Sequence, residues 1–294
     1  MTGATRPSRV VSAAAILATA LVSACGESAG PPVATPSATI NRPRAPLGSP
    51  IEVTYRFQVA PGAGLDGAYR VMVHFVDVDD ELMWTDDHDP PTPTSSWQAG
   101  GVIEYTRTVF IPVYPYLGET RVLVGLYDPD TQRRLTLAGE EDGQQAYRVA
   151  TLELQPQSES IFVVYGPGWH PPEVSADNSL VEWRWSKKTA TVSFRNPGRD
   201  VLVYLDLDGR PDVVDAPQQV SLRIAGQVVD AFTLDTNDRV LHQARVGADL
   251  LGSADVVELS LEVDQAFVPA RTPGAGPDER ELGVRVFHLY VEAR

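Results

Sequence analysis

Apolar and polar residues alternate over most of this chain, and the alternation sets the first expectation. Ile51, Val53, Tyr55, Phe57 and Val59 fall on one side of an extended segment, with Glu52, Thr54, Arg56 and Gln58 on the other. The same two-residue period returns in Tyr69, Val71, Val73 and Phe75, then in Ile103, Tyr105, Val109 and Ile111, then in Val122, Val124 and Leu126, and again over residues 146–154. Successive side chains of a strand point to opposite faces, so this period predicts half-buried strands. Asp128-Pro129-Asp130 reads as a turn between two of them. No long stretch has helical periodicity, and strands spaced by turn signals predict an antiparallel β-sandwich over residues 51–155.

A polar link at 156–160 separates this from a second strand-rich segment, 161–294. Strands are predicted there at residues 183–194, 201–207, 219–224, 228–234, 256–263 and 282–291, with Ala225-Gly226-Gln227 as a hairpin turn. Each segment is long enough for its own core. The expected fold is therefore all-β, with two tandem antiparallel sandwiches, immunoglobulin-like and then jelly-roll-like.

The N-terminal region breaks the pattern. Arg6 and Arg9 precede an apolar run at residues 10–22, too short to span a bilayer as a mature helix and suited to a secretory signal over residues 1–24. Leu21-Val22-Ser23-Ala24-Cys25 resembles the lipobox of bacterial lipoproteins, and Cys25 is the sole cysteine. The resemblance implies lipid attachment at Cys25, export, and anchoring in a membrane of the cell envelope. With no second cysteine, an exported chain must hold its fold without disulfides. Residues 25–50 are rich in proline and poor in large apolar side chains, a composition that predicts a disordered tether.

Net charge narrows the partners. The chain carries 24 basic and 39 acidic residues, a formal charge of −15. Such a surface repels nucleic acid phosphates and anionic headgroups, so membrane attachment falls to the lipid.

The densest acidity lies in "VDVDDELMWTDDHDPPTPTSSW", residues 76–97. A metal nest, a catalytic carboxylate cluster and two acidic turns around a short strand are all compatible with it. Asp77, Asp79 and Glu81 have the alternation of a calcium loop but lack its central glycine and distal glutamate, and His88 has no second histidine at zinc-ligand spacing. Calcium is the only cofactor this run could suggest. Trp97 is expected to pin the proline-rich loop onto the sandwich. The order "VMVHFVDVDDEL…DDHDPP…PTSSW…VLVGLYDPDTQRRL" resembles a β-sandwich module of bacterial envelope proteins. That module is found beside membrane-embedded glycosyltransferases of the dolichyl-phosphate-mannosyltransferase-like type. The resemblance implies that the acids belong to the module's architecture, although Asp80 stands where glycine is expected.

In the second segment, "GPGWHPPE" (166–173), "WRW" (183–185) and "PDERELGVRVF" (277–287) resemble the second sandwich associated with the same glycosyltransferases. Trp183 and Trp185 share a strand face and read as core or as a sugar-stacking platform. Trp169, His170, Glu173 and Arg280 form the expected ligand-binding patch, because loop residues are freer to face a ligand. No Gly-x-Ser-x-Gly elbow, His-Glu-x-x-His or phosphate-binding glycine loop is present. The expectation is a non-catalytic envelope lipoprotein that binds glycan or assists envelope polysaccharide assembly. A structural or protein-interaction lipoprotein is the first alternative. A glycoside-active enzyme, which needs only two carboxylates, is the second.

Overall fold

Alternation carries directly into strands in the computed structural model, which describes residues 30–114, 116–176, 181–214 and 216–294. Cys25 and the expected signal lie outside the described residues. The first sandwich contains β1 (Ala34–Ile40), β2 (Arg44–Pro46), β3 (Pro50–Val59), β4 (Arg70–Val76), β5 (Leu82–Thr85), β6 (Val102–Phe110), β7 (Gly118–Tyr127), β8 (Glu140–Glu141) and β9 (Tyr147–Gln155). One sheet has the order β1-β3-β6 and the other β2-β9-β7-β4-β5, with β8 beside β9. Their inner faces meet in one core, where Ile51, Val53, Tyr55, Phe57 and Val59 are buried against Val71, Val73, Phe75, Val122, Val124 and Leu126. Trp97 packs on Phe57 and its indole N–H donates to the Thr92 carbonyl at 2.9 Å, so it does pin the loop.

The expected tether is corrected by this architecture. Residues 34–46 hold two strands: β1 pairs antiparallel with β3 from Ala34↔Val59 to Ile40↔Val53, and β2 pairs parallel with β9. Ala34, Pro36, Ala38 and Ile40 alternate with Thr35, Ser37 and Thr39, a two-residue period that the proline content obscured. The small side chains need little area of their own, because β3 supplies the ladder and the opposite sheet supplies the cover. Pro36 is tolerated because β1 is an edge strand.

A single 3-10 turn, Gln157–Glu159, leads into the second half. Its strands are β10 (Val163–Tyr165), β11 (Glu173–Val174), β12 (Glu182–Trp185), β13 (Thr189–Arg195), β14 (Val201–Asp208), β15 (Gln218–Ile224), β16 (Gln227–Leu234), β17 (Val240–Val246), β18 (Val256–Val263) and β19 (Arg285–Ala293). They form the sheets β10-β13-β18-β15-β16 and β11-β12-β19-β14-β17 around a second core. The strand expected over 183–194 is two strands in different sheets. The chain crosses between them at buried Ser186, whose hydroxyl accepts the Val284 N–H at 3.0 Å. Ala225 and Gly226 both have positive φ, 48° and 79°, as the expected tight hairpin requires.

All eight residues of β14 are buried, polar ones included. Val201, Val203, Leu205 and Leu207 face the second core, while Leu202 and Tyr204 cluster with Tyr290 and, from the first sandwich, Phe110. The two sandwiches therefore bury the outer face of one sheet between them. Phe110 stacks on His288 at 4.2 Å, and Arg42 reaches Glu292 at 2.6 Å. Among the described residues, no helix is long and apolar enough to cross a membrane.

Candidate functional site

The acidic run resolves into three separate jobs. Asp77 is buried, and its Oδ1 accepts the backbone N–H groups of Asp79 (2.9 Å) and Glu81 (3.0 Å), closing the β4–β5 turn. Short acidic side chains commonly tie turns in this way. Asp80 holds a left-handed φ of 66°, which explains why glycine is expected there, and it pairs with Arg121. Asp77, Asp79 and Glu81 thus act as turn residues, and among the described residues no three His, Cys, Asp or Glu side chains group as metal ligands.

Asp86 points to one side of the sheet. Arg107 grips both of its oxygens, at 2.9 and 2.7 Å, and the Tyr55 hydroxyl donates to it at 3.3 Å. His88 is buried beneath, its Nδ1 2.6 Å from the Asp86 carbonyl and its Nε2 2.8 Å from the Tyr105 hydroxyl. A carbonyl only accepts, so Nδ1 carries the proton and Nε2 accepts from Tyr105. Burial, reinforced by the Arg107 charge, holds the His88 pKa below its ordinary value. Burial likewise pushes the hydroxyls of Tyr55 and Tyr105 up.

Asp87 faces the other way, into a pocket of about 500 Å3 on the outer face of the β4–β7 sheet. Met72, His74, Asp87, Tyr127, Gln132, Arg134, Gln144 and Gln145 line it. Its floor belongs to a small apolar cluster of Met72, Val76, Leu123, Tyr127 and Ala146, distinct from the main core. Asp87 Oδ1 accepts the Val73 N–H at 2.9 Å and lies 3.9 Å from His74 Nε2. Burial lowers the His74 pKa, against the opposing pull of Asp87, and raises that of Tyr127, with Asp87 adding to the rise.

The rim of this pocket is strained. Five non-glycine residues in the described chain have positive φ, and three of them line the pocket: Gln132 (60°), Gln144 (51°) and Gln145 (55°). Each such residue costs on the order of 1–2 kcal/mol, so neighbouring groups must hold it. Arg134 Nη1 donates to the Gln144 carbonyl at 2.8 Å, and Glu141 accepts the Gln145 N–H at 3.0 Å. Gly125 on β7 makes room: a Cβ there would meet the Gln145 carbonyl at 3.0 Å and the Met72 methyl at 3.1 Å. Gln144 lies exposed at the mouth, and Gln145, half-buried, is fixed through Nε2 to Thr136 at 3.1 Å. Left-handed backbone concentrated around one pocket is a feature of ligand sites.

The patch expected in the second sandwich is assembled differently. Arg280 binds Glu173 at 2.7 Å and Asp278 through Nε and Nη2, and its pKa rises mainly through Asp278. His170 Nε2 donates to, and is spent on, the Glu281 carbonyl at 2.7 Å. Trp169 pairs with Ser186 in an isolated bridge, and its side chain and that of His170 make separate contacts. Trp169 packs on the second core, edge-on to Tyr165 at 5.1 Å, and its N–H donates to the Thr191 carbonyl at 2.8 Å. Arg280, Glu173 and His170 share one region; Trp169 belongs to the packing. The expectation of a four-residue patch built around a free stacking tryptophan is therefore corrected. Trp185 is buried with Phe267 and Leu282, and Trp183 is half-buried beside them, which favours the packing role for that pair.

The pocket residues were absent from the sequence-based candidates. "DGQQAY" carries a signal, since two polar residues after Asp-Gly and before a strand mark a tight turn. Nothing local in it says that the turn closes over His74 and Tyr127.

No protein-family model matches the sequence, and no curated protein matches it. Among solved structures the chain is similar to Bacteroides uniformis β-glucuronidase, at 9% identity and a TM-score of 0.30, covering 88% of this chain and 30% of that one. It is also similar to the tandem CBM22-1-CBM22-2 domains of Paenibacillus barcinonensis Xyn10C, at 13% identity and a TM-score of 0.28, covering 84% and 80%. A third likeness is to the CBM51-2 and INT domains of Clostridium perfringens ZmpB, at 12% identity and a TM-score of 0.22, covering 59% and 38%. The chain thus spans less than a third of the glucuronidase. Likenesses this distant carry no argument about function, which rests on the site itself.

Proposed function

We propose that this chain is an exported, non-catalytic saccharide-binding protein, lipid-anchored at Cys25, with its binding site in the pocket of the first sandwich. The observation that carries the reading is the strained glutamine rim set over an apolar floor. A side-chain amide offers a donor and an acceptor in one plane, which suits the vicinal hydroxyls of a sugar. Gln144 provides such a group at the mouth, Gln132 and Gln145 each spend one amide N–H, on Pro129 and Thr136 respectively, and Met72 and Tyr127 provide apolar surface for the ring's C–H face. The left-handed turns fix the backbone from which the amides project, which lowers the ordering cost of binding.

Binding rather than hydrolysis is favoured by the acid count. Glycoside hydrolysis needs two carboxyl groups flanking the bond. Asp87 is the one carboxylate in the lining, and it already holds the Val73 N–H.

Calorimetry of the full chain against a panel of neutral oligosaccharides tests the site. Gln144→Ala should weaken any binding by about 5- to 150-fold, the equivalent of ~1–3 kcal/mol for ligand polar groups left unpaired. No binding across the panel, or binding indifferent to Gln144→Ala and Arg134→Gln together, would end this reading. The anchor is tested apart: Cys25→Ser should block lipid attachment and leave the precursor uncleaved, and identical mass and membrane partition for the wild type and the variant would remove it.

A further inference from the structure

A second cavity lies where the two sandwiches meet, and it has a different chemistry. It is a cleft of about 550 Å3, walled on one side by β6 and the Asp86 segment and on the other by β14, β17 and β19. That volume lies within the range of small-ligand sites, which favour domain junctions. Each wall carries one carboxylate held by an arginine. Asp86 is gripped by Arg107 from the first sandwich. Asp206 is gripped by Arg239, whose Nε lies 2.6 Å away, and receives His288 Nδ1 at 2.9 Å.

The two members of each pair are unequally placed. The side chains of Asp86 and Asp206 are 12% and 8% exposed, while those of Arg107, Arg239 and His288 are 36%, 40% and 38% exposed. What the cleft presents to solvent is the guanidinium and imidazole edges, on a chain whose overall charge is −15. The carboxylates act as buried braces: each takes the Nε–Nη2 fork of its own arginine, which fixes the guanidinium and leaves its Nη1 edge to meet a ligand carboxylate. Thr108 adds a hydroxyl from the same strand, that of Thr106 being bonded to Thr54 at 2.8 Å, and Phe110 adds an apolar ring already ordered by its stack on His288. Asp206 is poorly suited to proton donation, because Arg239 and His288 outweigh its burial and hold its pKa below the ordinary range.

We propose that this cleft is a second binding site, separate from the glutamine-rimmed pocket, and that it takes a carboxylate-bearing sugar, a hexuronate unit. The carboxylate would meet the outward Nη1 edges of the two arginines, with a ring hydroxyl on Thr108. A bare carboxylate would use the guanidinium edges and leave Thr108 idle, which is why a sugar acid is favoured over a chain terminus.

The test uses the full chain and four probes: glucuronic and galacturonic acid against glucose and galactose, followed by ligand-observed NMR titration. The uronates should bind at least tenfold more tightly than their hexoses. Arg239→Gln and Arg107→Gln should each erase most of that preference. Arg44→Gln removes an equal charge from an exposed pair with Glu153, neither of which lines the cleft, and should leave the preference intact. Should an arginine variant fail to fold, Thr108→Val leaves both ion pairs in place and should still weaken uronate binding severalfold. Equal affinity for uronates and hexoses would overturn the proposal. So would a preference that survives Arg239→Gln with Arg107→Gln, a preference lost equally in Arg44→Gln, or uronate binding unchanged in Thr108→Val.

Discussion

The glutamine-rimmed pocket and the Arg280 cluster are made of similar side chains, each having an arginine, a histidine, carboxylate and an aromatic ring nearby. They differ in where those groups direct their hydrogen bonds. Arg280 is forked onto Asp278 and also joined to Glu173, His170 is tied to a backbone carbonyl, and Trp169 donates into the core sheet. That cluster closes a loop upon itself. In the pocket, Arg134 bonds the Gln144 carbonyl and holds Gln144 in a left-handed turn, Gln132 and Gln145 each anchor one amide N–H, and Gln144 carries the amide displayed at the mouth. Composition gives the two regions equal standing; hydrogen-bond allocation separates them.

The largest expected effect tests the packing side of this contrast. Trp185 is buried with Phe267 and Leu282, so Trp185→Ala should cost roughly 3–5 kcal/mol of stability. Trp169→Ala should cost about 2 kcal/mol, through lost packing on the second core and the lost bond to Thr191, with saccharide affinity in the first sandwich unchanged. Chemical denaturation alongside binding calorimetry reads both. A Trp169→Ala protein of full stability but without glycan binding would restore the tryptophan patch as the site.

A middle-sized effect separates the sandwiches by pH. His74 and His88 both lie in the first sandwich, and burial lowers both pKa values from about 6.5. The unfolded chain then takes up protons before the folded one does, so stability is present above about pH 6.5 and is lost as pH falls towards the folded pKa. Each group contributes up to ~1.4 kcal/mol per pH unit within that window. Melting temperature should fall between pH 7 and 5, with a shallower slope in His74→Gln. A flat profile, or a slope unaltered by that substitution, would contradict the burial assigned to these rings.

A smaller effect sharpens the role of strain. Gln144→Gly relieves a left-handed side-chain residue and should stabilise the protein by about 1 kcal/mol while weakening ligand binding. Stability gained with affinity retained would mean that the amide has no part in recognition.

These contrasts also explain what was legible in the sequence. The cores of both sandwiches were, because a two-residue period survives wherever one face is buried, as at Ile51 to Val59. β1 was hidden because its burial is supplied by β3 and the opposite sheet, leaving only small residues and a proline to be read. β17 was hidden by His242, which stacks on Phe232 at 3.7 Å and pairs with Asp230, contacts made across strands. The pinning role of Trp97 was local and could be read, while Asp77, a candidate calcium ligand by spacing, shows its turn role only in the hydrogen bonds of the folded β4–β5 turn. The pocket was not, since its strain depends on Gly125 lying opposite Gln145 in the folded sheet. The burial of β14 on both faces depends on the first sandwich, and only its near-continuous apolar run, VLVYLDLD, hinted at it.

The central claim is that saccharide binds under the glutamine rim, and backbone and side-chain amide NMR of the full chain during titration tests it most directly. The account predicts that the largest shifts fall on the side-chain amides of Gln144 and Gln145 and on the backbone of His74 and Tyr127. Shifts centred on Trp169, Trp183 or Arg280 instead, with the glutamine amides unmoved, would contradict it.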